Sequence, residues 1–189
     1  MDFVRAKIPP AVPAVLIFLG ISLIATAFAL EPAPASSVQY AFTPGDRADN
    51  MIIDAIDRAK KQLLVQAFSF THRRIAEALI KANNRGVEVV VIADHQQTYQ
   101  IDTSVIGKLA GAGVPVLLDP EHVSAHNKIM IIDADSPDCA VITGSYNFTH
   151  AAQYKNAENV LMVRDNPPLC AAYRRNWNRH KSHSRPFAR

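Results

Sequence analysis

The chain has 189 residues, 49% of them hydrophobic, and a formal net charge of +3. This length predicts one domain with short accessory segments. The sequence has neither the paired Cys/His spacing of a zinc finger nor a glycine-rich phosphate loop, and its two cysteines are too few for a disulfide framework. Cys139 and Cys170 either form a single bridge in an oxidising compartment or remain two partly buried thiols.

Residues 1–29 have the order of a secretory signal. Arg5 and Lys7 precede an uncharged stretch, 8–30, that closes with Ala-x-Ala patterns. The stretch also approaches the ~20 residues that span a bilayer, so the alternatives are an uncleaved membrane anchor and a buried soluble helix. The first interpretation predicts a periplasmic or secreted protein and the second an inner-membrane-anchored one. Residues 30–37, rich in Pro, Ala and Ser, are predicted to be a linker.

From residue 38 onward, strand-like and helix-like segments alternate. Strands are predicted at 38–44, 63–70, 87–94, 114–119, 129–133, 140–144 and 156–165. Helices with apolar residues at three- and four-residue spacing are predicted at 45–62, 71–84, 102–110 and from 167 to about 180. This alternation predicts an α/β sandwich around one largely buried sheet, formed by residues 38–182.

The C-terminal segment is strongly basic. Between Arg174 and Arg189 the chain carries only basic charges and no acidic residue, and His180 and His183 lie among them. Such a segment is either a solvated terminus or a patch that attracts phosphate. Residues 183–189 are accordingly predicted to form a basic tail outside the domain.

Two strand-like stretches carry polar residues that a core strand would not need. His126 and Lys128 share one face of the first stretch, and Ser145 and Asn147 share one face of the second. Buried polar atoms without partners cost about 1–3 kcal/mol each, so we expect something to bind there. A hairpin centred on the turn at 134–138 would place Lys128 opposite Ser145 and His126 opposite Asn147.

These residue types suit a phosphodiester substrate. Lys128 supplies a positive charge, while Ser145 and Asn147 can donate hydrogen bonds to the non-bridging oxygens. His126 can attack phosphorus or shuttle a proton near neutral pH. Because no Asp/Glu cluster suggests a two-metal site, no metal or cofactor is expected. Asp133 lies an odd number of residues from His126, which predicts a supporting role from the opposite face of the strand.

His122 and His126 are four residues apart, which is metal-ligand spacing on a helix. Their surroundings, however, are strand-like. The two rings are therefore not expected to converge on a metal ion.

The pattern His-x-Lys-(x)4-Asp followed by Gly-Ser-x-Asn resembles the signature of the phospholipase D superfamily. The stretch TGSYNFTHAAQYKNAENVLMV, which starts at Thr143, is similar to the small bacterial Nuc-type endonucleases of that superfamily. The resemblance covers about 38–180 and implies a mixed β-sheet flanked by helices on both faces. It implies catalytic roles for His126, Lys128, Asp133 and Glu158, the last as the acid that orients the histidine ring. It implies phosphate binding by Lys128, Ser145 and Asn147.

The resemblance also implies a mechanism and a partner. One histidine forms a phosphohistidine while the histidine of a second motif protonates the leaving oxygen, without a metal ion. The chain has one such motif, so a homodimer with a shared site is implied, acting on DNA or possibly RNA. The alternative is a phospholipase D acting on lipid headgroups such as cardiolipin, which an N-terminal anchor would favour. A non-catalytic nucleic-acid-binding protein is a third hypothesis, and the intact residue set argues against it.

Overall fold

The computed structural model describes residues 36–188, all within one compact unit. The predicted signal or anchor and most of the predicted linker lie outside the described residues. Over the range 36–188, no helix is both long enough and apolar enough to cross a membrane.

The described chain forms a single eight-stranded sheet with the order β1-β7-β6-β5-β2-β3-β4-β8. The strands are β1 (Ser37–Thr43), β2 (Gln62–Ala67), β3 (Glu88–Asp94), β4 (Val116–Asp119), β5 (Lys128–Ile132), β6 (Ala140–Gly144), β7 (Glu158–Arg164) and β8 (Arg185–Pro186). The helices are α1 (Ala48–Arg58), α2 (Arg73–Asn84), α3 (His95–Gln100), α4 (Ile106–Gly111), α5 (His150–Tyr154) and α6 (Pro167–His183). Strands β2, β3 and β4 are parallel, whereas every other pairing is antiparallel.

Helices cover both faces of this sheet, as predicted. Helices α1, α2 and α4 bury apolar side chains such as Ile52 and Leu79 against one face. Helix α6 covers part of the other face, where Trp177 packs against Leu64 and Ile131. The Trp177 indole donates a hydrogen bond to the Val65 carbonyl at 3.1 Å, so this large side chain is buried without an orphaned donor. The predicted mixed α/β sandwich is therefore confirmed.

The two cysteines form a disulfide. Cys139, just before β6, is bonded to Cys170 in α6, and both residues are fully buried. The alternative of two free thiols is therefore wrong. The bridge forms because α6 packs directly over the start of β6, which brings together two residues that are 31 positions apart.

The C-terminal segment is part of the domain and not a separate tail. Helix α6 continues to His183, and β8 then pairs with the edge of β4. The Phe187 amide donates to the Val116 carbonyl at 3.0 Å. The predicted boundary at residue 183 is therefore wrong. The sequence did not indicate β8, because a strand of two residues is too short to show a pattern.

Two short helices, α3 and α5, have no counterpart among the predicted elements. Helix α3 is capped by the side chain of Asp94, which accepts from the Gln97 amide at 2.7 Å. Helix α5 is capped by Thr149, whose hydroxyl accepts from the Ala152 amide at 3.0 Å. With six and five residues they are too short to display helical periodicity.

Candidate active site

The polar residues singled out in the sequence meet where three neighbouring strands end. Strands β5 and β7 both run antiparallel to β6. Lys128 begins β5, Gly144 ends β6 and Glu158 begins β7, so these three residues lie at the same end of the three neighbouring strands. We call His126, Lys128, Ser145 and Glu158, which lie at this end of the strands, the strand-end site.

The hairpin of β5 and β6 differs by one residue from the predicted register. The observed pairs are Met130 with Ile142 and Ile132 with Ala140, a register that, continued by two residues, would set Gly144, and not Ser145, opposite Lys128. The reason is an odd-numbered turn centred on Ser136, whose amide donates to the Asp133 carbonyl at 2.8 Å. A one-residue shift moves every side chain to the other face, so the predicted cross-strand pairing is wrong.

A β-bulge brings Ser145 back to the site. The amides of Ser145 and Tyr146 both donate to the Asn159 carbonyl, at 3.1 and 3.3 Å, so two residues oppose one. Gly144 has a φ of 148°, and a Cβ there would collide with the Asn159 backbone. Glycine is thus required at the bend that turns Ser145 toward Glu158.

Ser145 and Glu158 are joined directly. The Ser145 hydroxyl donates to Glu158 Oε2 at 2.6 Å and accepts from the Asn159 amide at 3.1 Å. Asn156 donates to the other Glu158 oxygen at 2.9 Å. The Glu158 carboxylate therefore bonds to Ser145 and Asn156 in the single chain, with no hydrogen bond to His126 among the described residues. Its role in orienting the histidine stays a prediction.

Lys128 is a buried cation. Lys128 is only 7% exposed, and its Nζ donates to the His126 carbonyl at 2.7 Å. Nζ also lies 4.8 Å from the centre of the Phe68 ring, a cation–π contact. Burial lowers the pKa of Lys128 to about 8, and the nearby negative charge of Glu158 opposes that shift.

His126 is exposed at the mouth of the site. Its ring packs against the Phe68 ring with centroids 4.4 Å apart. The preceding backbone is held by Asp94, whose carboxylate accepts from the Ala125 amide at 2.8 Å. The imidazole is thus accessible to a substrate, while the backbone that carries it is fixed.

Asn147 is only partly exposed, and its Oδ1 atom is buried with no hydrogen-bond partner in the protein. Phe148, the next residue, is anchored to the start of α2 because its carbonyl accepts from the amides of Thr71 and His72, both at 2.9 Å. The polar capacity of the Asn147 side chain is thus not used by the described protein groups. Its predicted phosphate-binding role stays a prediction.

Comparison with known proteins identifies the family. Residues 52–181 match the family described as "Cardiolipin synthase, PLD-like domain". The chain belongs to the phospholipase D-like family. It is 38% identical over 147 residues to a protein named phospholipase D from Rickettsia felis, covering 78% of this chain and 70% of the relative. It is 30% identical over 158 residues to the mitochondrial cardiolipin hydrolase of Xenopus tropicalis, covering 78% and 72% of the two chains.

The fold is shared with a solved member of the phospholipase D family, Nuc from Salmonella typhimurium. The TM-score is 0.75 at 31% identity, and the match covers 82% of this chain and 99% of Nuc. Membership of the family makes the chain a phosphodiesterase of the phospholipase D superfamily and makes the strand-end site its candidate catalytic centre.

The Asp of the phospholipase D motif lies elsewhere. Asp133 follows the far end of β5, and its carboxylate accepts from the amides of Lys60, Lys61 and Gln62 at 2.7–2.9 Å. Its φ of 49° ends the strand. A direct catalytic role for Asp133 does not fit this position, whereas the supporting role inferred from the strand pattern does.

A network around the buried side chain of Asp49, which no sequence pattern indicated, supports the loop after β6. Arg74 donates to the Asp49 carboxylate at 2.6 Å, and the Asp49 amide donates to Gln153 Oε1 at 2.9 Å. The Tyr146 hydroxyl bonds to the same Gln153 oxygen at 3.3 Å. The ion pairs with the neighbouring arginines outweigh the effect of burial and lower the pKa of Asp49.

A second cluster of titratable groups lies at the same end of the strands, beyond β4. The ligand atoms of Asp119, His122, His180 and His183 all lie within 4.8 Å of one another. Burial raises the pKa of Asp119, but hydrogen bonds from the three histidines outweigh it and hold the pKa well below the ordinary range. His122 thus converges with C-terminal histidines and not with His126. No metal-ligand set was predicted from the sequence, so this cluster is a new finding of the structure.

Proposed function

We propose that this protein is a metal-independent endonuclease that cleaves DNA through a phosphohistidine on His126. The observation that carries the proposal is the strand-end site, where the exposed His126 imidazole and the buried Lys128 both contact the Phe68 ring and the neighbouring strands end in a serine bonded to a glutamate. Nearly the full length of Nuc is matched by this chain, and the Thr143–Val163 segment has the Nuc-type pattern.

In the proposed reaction, an imidazole nitrogen of His126 attacks phosphorus. A P–N bond forms and the P–O bond to the leaving oxygen breaks. The positive charge of Lys128 stabilises the charge that develops on the non-bridging oxygens. A second histidine protonates the leaving oxygen, then removes a proton from the water that hydrolyses the P–N bond.

We propose that the second histidine is His126 of another copy. An apolar patch formed by Val38, Tyr40, Phe42 and Leu161, here called the edge patch, is 54%, 68%, 58% and 38% exposed, respectively. Phe42 pairs with Asn159, and the Asn159 amide bonds to Ser145, so the edge patch borders the strand-end site. A second copy packed there would cover the patch, and the proposal requires that this copy also present its His126 to the strand-end site of the first.

Hydrolysis of lipid headgroups is the alternative, and two observations favour it. The relatives quoted above are named phospholipase D and cardiolipin hydrolase. In addition, an edge patch left exposed would suit contact with a lipid surface. Oligomeric state and substrate therefore need to be measured on the same preparation.

A direct test gives the purified protein supercoiled plasmid DNA, RNA and cardiolipin vesicles, each with excess EDTA, well below the unfolding temperature. We expect DNA to be cleaved in the chelator, because the groups proposed to stabilise charge are side chains. His126→Asn should abolish cleavage, whereas His150→Asn, an exposed histidine outside the strand-end site, should not. Hydrolysis of cardiolipin alone would support the lipase alternative. Activity lost with EDTA and restored by Mg²⁺ would contradict the mechanism.

We further propose that the protein works outside the cytoplasm. The buried Cys139–Cys170 bridge supports this, since stable disulfides are characteristic of oxidising compartments. Mass spectrometry of the protein from its host should show a new N-terminus between Phe28 and Ser37. An intact Met1 on membrane-bound protein would support the anchor.

A further inference from the structure

Three histidines surround one carboxylate where the C-terminal helix meets the sheet. Asp119 is the last residue of β4, and His122 follows in the loop that leads to β5. His180 and His183 lie in the last turn of α6, and their three-residue spacing places both rings on one side of the helix. None of these residues belongs to the strand-end site.

The geometry of this Asp119–histidine cluster is that of a ligand set. Asp119 Oδ2 lies 3.1 Å from His122 Nδ1, 3.0 Å from His180 Nδ1 and 3.1 Å from His183 Nε2. In a tetrahedral site with bonds near 2.0 Å, neighbouring ligand atoms are about 3.3 Å apart. The oxygen–nitrogen distances are already close to that value. The nitrogens lie within 4.8 Å of one another, and small ring rotations would close the difference.

Hydrogen bonding alone crowds one oxygen of the Asp119 carboxylate. All three rings point a nitrogen at Oδ2, which offers about two lone-pair sites. The other oxygen, which lies 3.2 Å from His122 Nδ1, already accepts from the Glu121 amide at 3.1 Å. A cation between the four atoms would accept a lone pair from each and remove the competition among three donors.

A second carboxylate supports the ring of His183. His183 Nδ1 lies 3.2 Å from Glu121 Oε2, while its Nε2 faces Asp119. Metal-binding histidines commonly donate their other ring N–H to a carboxylate in this way, which fixes the tautomer. With Asp119 and Glu121 ionised, a divalent cation would also leave the group of residues electrically neutral.

Burial separates this arrangement from a surface cluster of histidines. The Asp119 side chain is completely buried, and those of His180 and His183 are 15% and 24% exposed. The side chain of His122 is 44% exposed, which leaves an entry path for an ion. A buried carboxylate ringed by partly buried imidazoles is a site that an ion can reach from the side of His122.

We propose that Asp119, His122, His180 and His183 bind one Zn²⁺ as a structural site. Three imidazoles and a carboxylate are ligands that zinc accepts, and four protein ligands leave no position open for catalysis. The ion would join the end of α6 to the loop between β4 and β5.

This location links the zinc site to the loop that carries His126. Asp119 pairs with Asp94 in the next strand, and Asp94 in turn holds the Ala125 amide. Lys128 lies three strands away across the sheet, about 14 Å at the usual strand spacing. The ion is therefore too far to take part in the chemistry, but it would anchor the start of the segment whose end presents His126.

The test is metal binding by the full chain, stripped with chelator and then titrated with Co²⁺. We expect the visible absorption of tetrahedral Co²⁺ at one ion per chain, displaced by Zn²⁺, and an unfolding temperature that rises with Zn²⁺. His122→Gln, in an exposed loop, should fold normally and weaken Zn²⁺ binding at least a hundredfold. Glu121→Gln should weaken it about 10–100-fold, as expected of a group that supports a ligand.

One control and one further ligand variant make the result decisive. His150→Gln removes an exposed histidine outside the cluster and should bind Zn²⁺ like the wild type. His183→Gln should lose both the Co²⁺ spectrum and the Zn²⁺-dependent rise in unfolding temperature. Absence of tetrahedral Co²⁺ bands in the folded wild type, or equal binding by His122→Gln, would overturn the proposal. DNA cleavage in chelator tests the proposed activity separately, so either proposal can fail without the other.

Discussion

At the scale of single residues, burial of the Lys128 charge lowers the free energy of unfolding. The pKa of Lys128 lies at about 8, against 10.5 for an unperturbed lysine. A difference of that size corresponds to roughly 3 kcal/mol. The unfolded chain binds the extra proton between these two values, so this residue makes stability rise with pH across that window. At neutral pH the chain therefore carries a destabilising charge where a substrate phosphate would compensate it.

The same pKa predicts how activity depends on pH. Because Lys128 loses its proton above about pH 8, kcat/KM for a phosphodiester should fall about tenfold per pH unit there. In Lys128→Arg the guanidinium keeps its charge, so the fall should move to higher pH even if the rate is lower. The measurement is a pH profile of kcat/KM for both proteins. An unchanged basic limb in the variant would assign that limb to another group.

Gly144 predicts a second effect at this scale. Gly144→Ala would place a methyl group against the Asn159 backbone at a φ of 148°, which should displace Ser145 from Glu158. We expect a loss of stability of about 1–3 kcal/mol and a fall in kcat/KM of at least about tenfold. Urea unfolding and steady-state kinetics measure the two effects.

Gly107→Ala is the matched control. Gly107 lies within α4, where an added Cβ meets no atom within 4 Å, and alanine favours a helix by about 0.5–1 kcal/mol. This variant should be as stable as the wild type or more so. Similar losses in both variants would mean that the bulge does not explain the effect at Gly144.

At the scale of secondary-structure elements, α6 is fastened to the sheet at several points. The disulfide joins it to the start of β6, Trp177 bonds to β2, and the Asp119–histidine cluster joins its last turn to β4. The helix packs on the opposite face of the sheet from α1 and α2, so it has few contacts with the rest of the helical structure. These fastenings determine whether the second face stays covered.

The disulfide should therefore contribute measurably to stability. Replacing both cysteines by alanine, in Cys139→Ala with Cys170→Ala, should lower the free energy of unfolding by roughly 3–4 kcal/mol for a closed loop of 31 residues. Activity should persist at low temperature, because the bridge lies at the start of β6, whereas the strand-end site lies where β6 ends. Urea unfolding with and without reductant checks this. An identical midpoint in the double variant and the oxidised wild type would contradict it.

At the scale of the whole molecule, one motif per chain cannot supply both a nucleophilic histidine and an acidic one. The edge patch beside the strand-end site is the surface on which we place a second copy. If both His126 side chains act on one phosphodiester, a dimer of one wild-type and one His126→Asn chain lacks half of the catalytic pair. General acid–base catalysis alone is worth about 10²–10⁴-fold, so such a dimer should turn over very slowly.

Mixing the two chains tests this arrangement. After equilibration, activity should fall with the square of the wild-type fraction, because only dimers with two wild-type chains are active. Sedimentation of each mixture verifies that the total amount of dimer is constant. A linear decrease, or full activity from a protein that sediments as a monomer, would show that each chain works alone.

The sequence alone determined the parts of this protein that depend on local pattern. The alternation of strands and helices predicted the mixed sandwich, and the two polar stretches that contain Lys128 and Ser145 indicated the strand ends at which these residues lie. The motif assigned the family, which the comparisons confirm. Such features are readable because side-chain periodicity along a helix or strand is a property of neighbouring residues.

Only the tertiary structure decided the features that join distant segments. The turn centred on Ser136 shifted the hairpin register by one residue, and a bulge at Gly144 then returned Ser145 to the site. His180 and His183 reach Asp119 across 61 and 64 residues of sequence. No local pattern encodes such contacts, because they arise where α6 happens to cross the end of β4.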